Sequence, residues 1–289
     1  MNVAAPLVLP AYAKLNLTLE VLGRRPDGYH EVRSVLQTID LHDTLALEPA
    51  STLELNCDRP ALSGDDNLVL KAARLLQGQA VGSPGARITL HKRIPEAAGL
   101  GGGSSDAAAA LLGLNRLWGL GLAAGDLAPL AAQLGSDVPF FLQGGTALVE
   151  GRGEVVVPLP PALPRWFLLA RPPLSIPHKT RTMYAALKPF MFSQGELTQA
   201  LVDRLFRGDP SAAELLGNAF DLVAPAVYAG FDEFRLRLLE RGLRALHLAG
   251  AGPALFAPVE DEARGQALRE RLQADGVEAY LVKSVSPGG

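Results

Sequence analysis

The chain has 289 residues, of which 48% are hydrophobic and 20% are charged, and its formal net charge is −3. The length suffices for one large or two ordinary domains, and the nearly balanced charge excludes a strongly basic nucleic-acid-binding protein. A single cysteine, Cys57, excludes an internal disulfide and a cysteine metal cluster. Residues 1–10 lack a signal-peptide pattern and no run of about 18 apolar residues occurs, so we expect a cytoplasmic protein with no membrane segment.

The N-terminal part of the chain has the alternating pattern of β-strands. Apolar and polar residues alternate within Leu7 to Val21, which puts Lys14 and Asn16 on the same face. The next segment, Arg25-Pro26-Asp27-Gly28, is typical of a turn.

The rest of the chain mixes predicted helices and strands without strict alternation, which favours an α+β fold over a doubly wound sheet. Strands are predicted at Val32 to Leu41, Thr44 to Glu48 and Thr52 to Leu55 (as a hairpin), Ala86 to Arg93, Thr146 to Glu150, Glu154 to Pro158, Trp166 to Ala170, Ala245 to Leu248, Ala254 to Ala257 and Glu278 to Val285. Helices are predicted at Leu68 to Gln77 (capped by Asp65-Asp66-Asn67), from the glycine-rich stretch to Leu117, at Leu127 to Leu134, after Asp137, between the Thr180 and Leu243 regions, and at Glu260 to Ala274.

A glycine-rich stretch precedes the second of these helices. Residues 99–103 contain four glycines, and the alanine run Ala107 to Ala110 that follows has high helix propensity. Ser104, Ser105 and Asp106 are therefore predicted as N-cap residues. Free amides and the positive end of a helix dipole would then meet at one point, which suits phosphate; the alternative is a flexible loop before an ordinary helix.

Two familiar phosphate-binding motifs do not account for this stretch. No G-x-x-x-x-G-K-[ST] pattern occurs in the sequence. Gly119-Leu120-Gly121 is the nearest approach to a dinucleotide fingerprint, but it follows a helix rather than a strand, so we predict an inter-helix turn there.

Four other residues could carry chemistry, and each also has an ordinary explanation. Lys14 could be an edge-strand lysine, Asp137 a helix cap, and Tyr29 with His30 a half-exposed pair after a turn. Together with the glycine stretch they supply a cation, a carboxylate and an aromatic clamp, which phosphoryl transfer to an alcohol on a nucleotide-like molecule requires.

At the level of motifs, the chain resembles the GHMP superfamily of small-molecule kinases over nearly its whole length. The matching segments are Pro95 to Ser105, Ala11 to Leu17, Arg25 to Glu31 and Ser136 to Phe141. The resemblance implies a two-domain α+β GHMP kinase fold with the active site in the interdomain cleft. It also implies an ATP-binding N-terminal domain at 1–160 and a C-terminal domain at 161–289. Pro158 to Pro164 holds four prolines in seven residues and is the candidate linker, with a proline loop inside one domain as the alternative.

The resemblance further implies roles for individual residues. Asp137 would be the base for the acceptor 2-hydroxyl, with Lys14 beside it, and Asn16 would hold substrate hydroxyls. Tyr29 would stack on a cytosine, His30 would hydrogen-bond it, and Tyr184 would form the opposite wall. The substrate implied is a cytidine-diphosphate-linked methylerythritol of the non-mevalonate isoprenoid pathway, without nucleic acid, membrane or obligate protein partners.

ATP with Mg²⁺ bridging its phosphates would lie over the glycine stretch, with the adenine near Asn67 to Lys71. The ATP-binding residues implied are Pro95, Glu96, Ala97, Ala98, Gly99, Leu100, Gly101, Gly102, Gly103, Ser104 and Ser105.

The chain departs from the superfamily pattern at two places. Ala249-Gly250-Ala251-Gly252 lacks the usual flanking Ser or Thr, so contacts there must come from backbone amides. Glu96 stands in the phosphate loop, so we expect it to face solvent. Two alternatives stay open: a homoserine- or mevalonate-type kinase, which the Tyr29-His30 segment argues against, and a non-catalytic nucleotide-binding protein on the same scaffold.

Overall fold

The computed structural model describes residues 5–161, 165–209 and 214–286. The chain divides into two compact units, each assembled from separate stretches of sequence. Unit 1 comprises Met1–Ala13, Leu41–Pro95 and Gly101–Gly144, and unit 2 comprises Lys14–Asp40, Glu96–Leu100 and Gly145–Gly289. The domain boundary expected near residue 160 stays a prediction.

Helices and strands are interspersed along the chain, which confirms the α+β class. The strands are β1 (Leu7–Arg24), β2 (His30–Ala50), β3 (Leu53–Cys57), β4 (Gly85–His91), β5 (Thr146–Glu150), β6 (Val155–Pro158), β7 (Trp166–Arg171), β8 (Gly217–Asn218), β9 (His247–Leu248), β10 (Leu255–Val259) and β11 (Glu278–Lys283). The α-helices are α1 (Leu68–Gln77), α2 (Gly102–Leu117), α3 (Ala124–Leu134), α4 (Val138–Phe141), α5 (Lys179–Ala186), α6 (Glu196–Arg207), α7 (Ala224–Val227), α8 (Phe231–Glu240) and α9 (Glu262–Ala274). Short 3₁₀ helices lie at Pro60–Leu62, Pro189–Met191 and Ala219–Leu222.

Unit 1 is a sheet covered by helices. Strand β4 pairs antiparallel with the C-terminal part of β2 and parallel with β3. Helix α2 approaches the strands closely at Gly113, where an added Cβ would lie 2.2 Å from Leu47 Cδ1 and 2.9 Å from Leu9 Cδ1. The buried alanines Ala107 to Ala110 continue this close packing. Small side chains therefore let the middle of α2 pack closely against the sheet.

Unit 2 contains a separate antiparallel sheet in the order β11-β7-β10-β9. Helix α9 packs on this sheet at Gly265, where an added Cβ would lie 2.3 Å from Leu281 Cδ1. In the same unit, the N-terminal part of β2 pairs with β5, β5 pairs with β6, and β1 pairs parallel with β8. Large aromatic side chains fill one of its core clusters: Phe220, Tyr228, Phe231 and Phe234.

The predicted hairpin between Thr44 to Glu48 and Thr52 to Leu55 is wrong. Strand β4 pairs with β2 on one side and with β3 on the other, so the two segments are not neighbours. Gly85 permits this insertion, because an added Cβ there would lie 2.5 Å from the carbonyl oxygen of Ala50. Alternation identifies a strand but not its partner, since every alternating segment offers the same kind of apolar face.

Most other predicted elements are confirmed within a few residues. The predicted strands over Val32 to Leu41 and Thr44 to Glu48 form one continuous strand, β2. Asn67 caps α1, since its Oδ1 accepts the Val69 N–H at 2.8 Å. Gly119-Leu120-Gly121 lies in the turn between α2 and α3, as expected.

Two remaining expectations concern the linker and the membrane. Of the candidate linker Pro158 to Pro164, residues 162–164 lie outside the described residues. Among the helices of the described ranges, none is both long and apolar enough to cross a lipid bilayer.

Candidate active site

The first half of the glycine loop, Glu96–Leu100, belongs to unit 2 and touches another loop of that unit. Gly99 has φ of +90°, and an added Cβ would lie 1.8 Å from the carbonyl oxygen of Ala249. The carbonyl of Leu100 accepts the backbone N–H of Lys14 at 3.0 Å. Bare backbone is therefore required at Gly99, both for its conformation and for the close approach of a second chain segment.

The second half of the loop, Gly101–Ser105, forms the start of α2 in unit 1. Gly101 has φ of +76°, and the Ser105 N–H donates to its carbonyl at 2.9 Å. The amides of residues 102–104 precede that hydrogen bond and point out of the helix N-terminus. Such amides, with the helix dipole behind them, attract anions.

The N-cap prediction for Ser104, Ser105 and Asp106 is wrong. The helix begins at Gly102, the N-cap position is occupied by Gly101, and no side chain caps it. Because glycine has low helix propensity, the sequence predicted that α2 would begin after the glycines. Tertiary packing stabilises the first turn instead, since Ser105 and Asp106 are buried.

The turn at residues 249–253, in unit 2, has its carbonyls held by side chains of the same unit. Asn218 Nδ2 donates to the carbonyl of Gly250 at 2.8 Å, and the Tyr228 hydroxyl donates to that of Ala251 at 2.7 Å. Both donors are largely buried. The turn keeps a fixed backbone although it lacks the Ser or Thr residues usual in the superfamily.

Lys179, the first residue of α5, joins this turn to the glycine loop. Its Nζ donates to the carbonyl of Ala97 at 2.9 Å and to that of Gly252 at 2.7 Å. One ammonium group thus holds two segments that are distant in sequence. The sequence does not predict this role of Lys179, because a lysine at the start of a helix has no pattern that identifies backbone carbonyls as its partners.

Lys14 is buried in β1, with 3% of its surface exposed. Its Nζ donates to Asn16 Oδ1 at 2.6 Å, and Asn16 Nδ2 donates to Ser34 Oγ at 2.9 Å. The same Nζ would lie 3.2 Å from a Cβ added to Gly250. The predicted shared face of Lys14 and Asn16 is confirmed, and the edge-strand explanation does not apply to this lysine.

Tyr29 and His30 follow the predicted turn at the start of β2. Tyr29 is 51% exposed, and the guanidinium carbon of Arg152 lies 5.0 Å from its ring centroid. The His30 ring stacks on Tyr184, with centroids 4.7 Å apart and planes at 19°. Burial, and then the nearby charge of Arg24, lower the pKa of His30, so its imidazole is neutral at neutral pH.

Asp137 immediately precedes α4 in unit 1 and is partly buried. Pro139 supports the helix start, and the Asp137 side chain makes no capping hydrogen bond. The ordinary explanation of this carboxylate as a helix cap therefore does not apply. Of the predicted site residues, unit 2 brings Lys14 and Asn16 together at the turn and pairs His30 with Tyr184, whereas Asp137 and Gly101–Ser105 belong to unit 1.

A buried cluster of charged residues lies under α2, and no sequence pattern predicts it. Lys92 Nζ donates to Asp43 Oδ2 at 2.5 Å and to Asp106 Oδ2 at 2.7 Å, and all three residues are at most 9% exposed. The three residues lie on different elements, so no spacing in the sequence links them.

Two further expectations concern the nucleotide. Leu68, in the predicted adenine segment, has its Cδ1 3.8 Å from a Cβ added to Gly103, so this segment adjoins the loop within unit 1. Glu96 is exposed, as expected. In the part of the chain that the structure describes, no group of three or more His, Cys, Asp or Glu residues could hold a metal ion.

Comparison with known proteins identifies one family model that matches part of the chain and relatives that match nearly all of it. Residues 67–145 match the family model described as GHMP kinases N terminal domain. A protein from Dehalococcoides mccartyi named 4-diphosphocytidyl-2-C-methyl-D-erythritol kinase is 43% identical over 97% of this chain and 99% of its own length. A protein of the same name from Symbiobacterium thermophilum is 42% identical over 96% of this chain and 99% of its own length.

Solved structures show the same architecture. A crystal structure of 4-(cytidine 5'-diphospho)-2C-methyl-D-erythritol kinase has a TM-score of 0.82 and 36% identity, and the match covers 98% of this chain and 100% of that one. A homoserine kinase from Cytophaga hutchinsonii has a TM-score of 0.72 and 20% identity, and the match covers 97% of this chain and 94% of that one. At this identity the two proteins share the fold alone. The GHMP kinase fold implied by the sequence resemblance is therefore confirmed.

Proposed function

This chain belongs to the 4-diphosphocytidyl-2-C-methyl-D-erythritol kinase family, and from that premise we propose the reaction that it catalyses. The γ-phosphoryl group of ATP is transferred to the 2-hydroxyl of 4-diphosphocytidyl-2-C-methyl-D-erythritol, which yields the 2-phosphate and ADP for the non-mevalonate isoprenoid precursor pathway. The observation that carries the proposal is the match to relatives of this name over 97% of the chain. Homoserine and mevalonate kinases share only the fold, at 20% identity or less.

The glycine loop is proposed to bind the triphosphate. The amides of residues 102–104 precede the first hydrogen bond of α2 and offer donors to phosphate oxygens. The nucleotide enters as its Mg²⁺ complex, with the ion on the phosphate oxygens as part of the substrate, because the transferred group needs its charge neutralised. Lys14, whose buried Nζ lies beside Gly250, adds a fixed positive charge.

The chemical step needs a proton acceptor for the 2-hydroxyl. We assign Asp137 to that role, since its carboxylate is not engaged in capping α4. The deprotonating oxygen attacks the γ-phosphorus, the bond from that phosphorus to the β–γ bridging oxygen breaks, and ADP leaves with the electron pair. Asn16, oriented by Lys14 and Ser34, is proposed to bind substrate hydroxyls.

Base recognition is assigned to Tyr29 and His30. The ring of Tyr29 is half-exposed and Arg152 lies over one of its faces, so the opposite face is the one proposed to stack on a cytosine. A neutral imidazole provides one N–H donor and one nitrogen acceptor, which matches the mixed donors and acceptors of a cytosine edge. Tyr184 orients that imidazole by stacking on it. Its proposed role is therefore to support His30 while it forms the opposite wall of the base site.

Replacing Tyr29 by alanine is expected to raise KM for the cytidine substrate about 5- to 150-fold, because base–aromatic stacking contributes about 1–3 kcal/mol. The value of kcat and the KM for ATP should change little. Tyr29→Phe is the matched control, since it keeps the ring and should retain nearly native KM. Steady-state kinetics with each substrate varied in turn gives both values, and an unchanged KM in Tyr29→Ala would remove this residue from the site.

Replacing Lys179 by methionine is expected to raise the KM for ATP about 10-fold. Methionine keeps the chain length but loses two hydrogen bonds from a charged donor, each worth about 1.5–3 kcal/mol, and we expect only part of this loss to appear in nucleotide binding, because the bonds hold the loop and do not contact the nucleotide. Arg181→Met, an exposed change two residues further along α5, should leave KM unaltered. Kinetics of Lys179→Arg complete the test: partial recovery supports a donor role, and a native KM in Lys179→Met contradicts it.

An acceptor panel tests the proposed reaction itself. The purified chain is incubated with Mg²⁺ and ATP plus 4-diphosphocytidyl-2-C-methyl-D-erythritol, homoserine or mevalonate, and ADP release is followed by a coupled assay. Release with the first acceptor alone is expected. Release with homoserine or mevalonate instead would favour the other kinase class, and nucleotide binding without any ADP would favour a binding protein.

A further inference from the structure

The Asp43–Lys92–Asp106 cluster lies directly beneath the helix start that the proposed function assigns to phosphate. A Cβ added to Gly102 would lie 3.4 Å from Lys92 Nζ, so the ammonium is next to the first helical residue. Asp43 Oδ1 accepts the backbone N–H groups of Arg93 and Ile94, which fixes its position. The cluster therefore connects strand β2, the end of β4 and the start of α2.

The cluster has an incomplete set of hydrogen bonds. Asp106 Oδ1 is buried and has no hydrogen-bond partner, and among the described residues it is the one buried side-chain oxygen in that condition. A buried, unpartnered carboxylate oxygen is costly when ionised and less so when protonated. The formal charges also leave one excess negative charge, since one ammonium faces two carboxylates.

Both features favour a proton on Asp106. Burial is the largest effect and raises the pKa of Asp106 to about 7; the charge of Lys92 opposes this increase, and the carboxylate of Asp43 adds to it. Burial lowers the pKa of Lys92, but the carboxylates of Asp106 and Asp43 raise it above its ordinary value overall, so Lys92 stays charged. Near neutral pH the cluster therefore alternates between a net charge of −1 and zero.

Other charged and titratable groups lie on the elements around the cluster. Asp58 accepts the backbone N–H of Lys92 and lies 3.7 Å from His91 Nδ1. Several more pair with one another: Lys71 and Arg74 of α1 with Asp66 and Asp65, and Arg87 of β4 with Glu54 of β3. The others are His42 and Glu48 of β2, Arg93 after β4, Arg116 in the last turn of α2, Asp126 of α3 and Asp137 before α4.

We propose that Asp106 is a positioning residue that links nucleotide binding to proton uptake: a triphosphate on the α2 amides favours the protonated, neutral cluster beneath them. The inference rests on the proposed function, because it needs a phosphate chain at this helix start. Asp106 acts through Lys92 and the Gly102 backbone and does not touch the reacting atoms. Linkage gives the direction in which nucleotide affinity changes with pH. A ligand that prefers the protonated form of Asp106 binds best at low pH and loses affinity as the pH rises past the pKa of Asp106.

Titration calorimetry with the Mg²⁺ complex of β,γ-imido-ATP tests the proposal on the full chain. In buffers of different ionisation enthalpy at pH 7.5, native protein should take up about half a proton per nucleotide bound, and Kd should weaken about 10-fold from pH 6.5 to 9. Asp106→Asn keeps an oxygen for Lys92 and mimics the protonated state. It should take up no proton and bind more tightly than native protein at pH 9, which loss of structure alone would not produce.

Asp275→Asn is the matched control, since it removes a carboxylate paired with Arg241 in unit 2 and should retain native proton uptake. Proton uptake that persists in Asp106→Asn, or a native Kd that is flat with pH, overturns the proposal. If Asp106→Asn does not fold, Asp43→Asn provides the test. It removes the negative charge that raises the pKa of Asp106, so the midpoint of the plot of Kd against pH should move to lower pH. An unmoved midpoint would overturn the proposal. Absence of nucleotide binding at every pH would instead contradict the proposed function.

Discussion

Asp137→Asn is expected to lower kcat about 100- to 10,000-fold, the range that a general base contributes. Asparagine has nearly the same shape as aspartate but cannot accept the proton of the 2-hydroxyl. The loss corresponds to about 2.7–5.4 kcal/mol of transition-state stabilisation. Because Asp137 makes no capping hydrogen bond to α4, the substitution removes no helix cap, and thermal unfolding beside the native protein checks that the variant is folded.

The readouts for this variant separate chemistry from binding. Single-turnover kinetics should give the slow step, and the Kd for the Mg²⁺–nucleotide complex should stay within about twofold of native, since binding does not use the carboxylate. Asp126→Asn is a matched control in the same unit: it weakens the cap of α3, where Asp126 Oδ2 accepts the Ala123 N–H at 2.9 Å. That control should lower the melting temperature slightly and keep kcat. Near-native turnover by Asp137→Asn would mean that another group accepts the proton.

Local patterns in the sequence were sufficient for the features that depend on few residues. A period of two predicted the shared face of Lys14 and Asn16, and the two are hydrogen-bonded to one another. The Asn67 cap and the turn before Tyr29 were predicted for the same reason, because capping and turn formation involve contacts between close neighbours in the chain.

Features made by distant segments could not be predicted in this way. Lys92 is 49 residues from Asp43, and only the packing of β2, β4 and α2 brings their charges together. Lys179 and Gly252 are 73 residues apart, and Lys179 binds a carbonyl, which every residue possesses. The early start of α2 has the same origin, since tertiary packing overrides the low propensity of its glycines.

The Gly99→Ala variant is expected to lose nucleotide binding by about 100-fold or more. An alanine Cβ would lie 1.8 Å from Ala249 O, 2.8 Å from Ala249 C and 3.1 Å from Gly252 N. These are backbone atoms, so no rotation of a side chain can relieve the overlap, and the loop and the turn must separate. A φ of +90° adds about 1–3 kcal/mol of strain for any residue with a Cβ.

Gly121→Ala separates steric overlap from backbone strain. Gly121 also has a positive φ, +67°, but nothing lies within 4 Å of an added Cβ. That control should show backbone strain alone: a lower melting temperature with near-native Kd for the Mg²⁺–nucleotide complex. Gly99→Ala should show a larger fall in melting temperature together with the loss of binding, measured by calorimetry on the same preparations. If the two variants bind nucleotide equally well, contact between the loop and the Ala249 turn does not position the phosphate-binding backbone. Lys179 bridges the same two segments, so in that case Lys179→Met should also bind nucleotide with a native Kd. Agreement between the two variants is therefore a test of the contact itself.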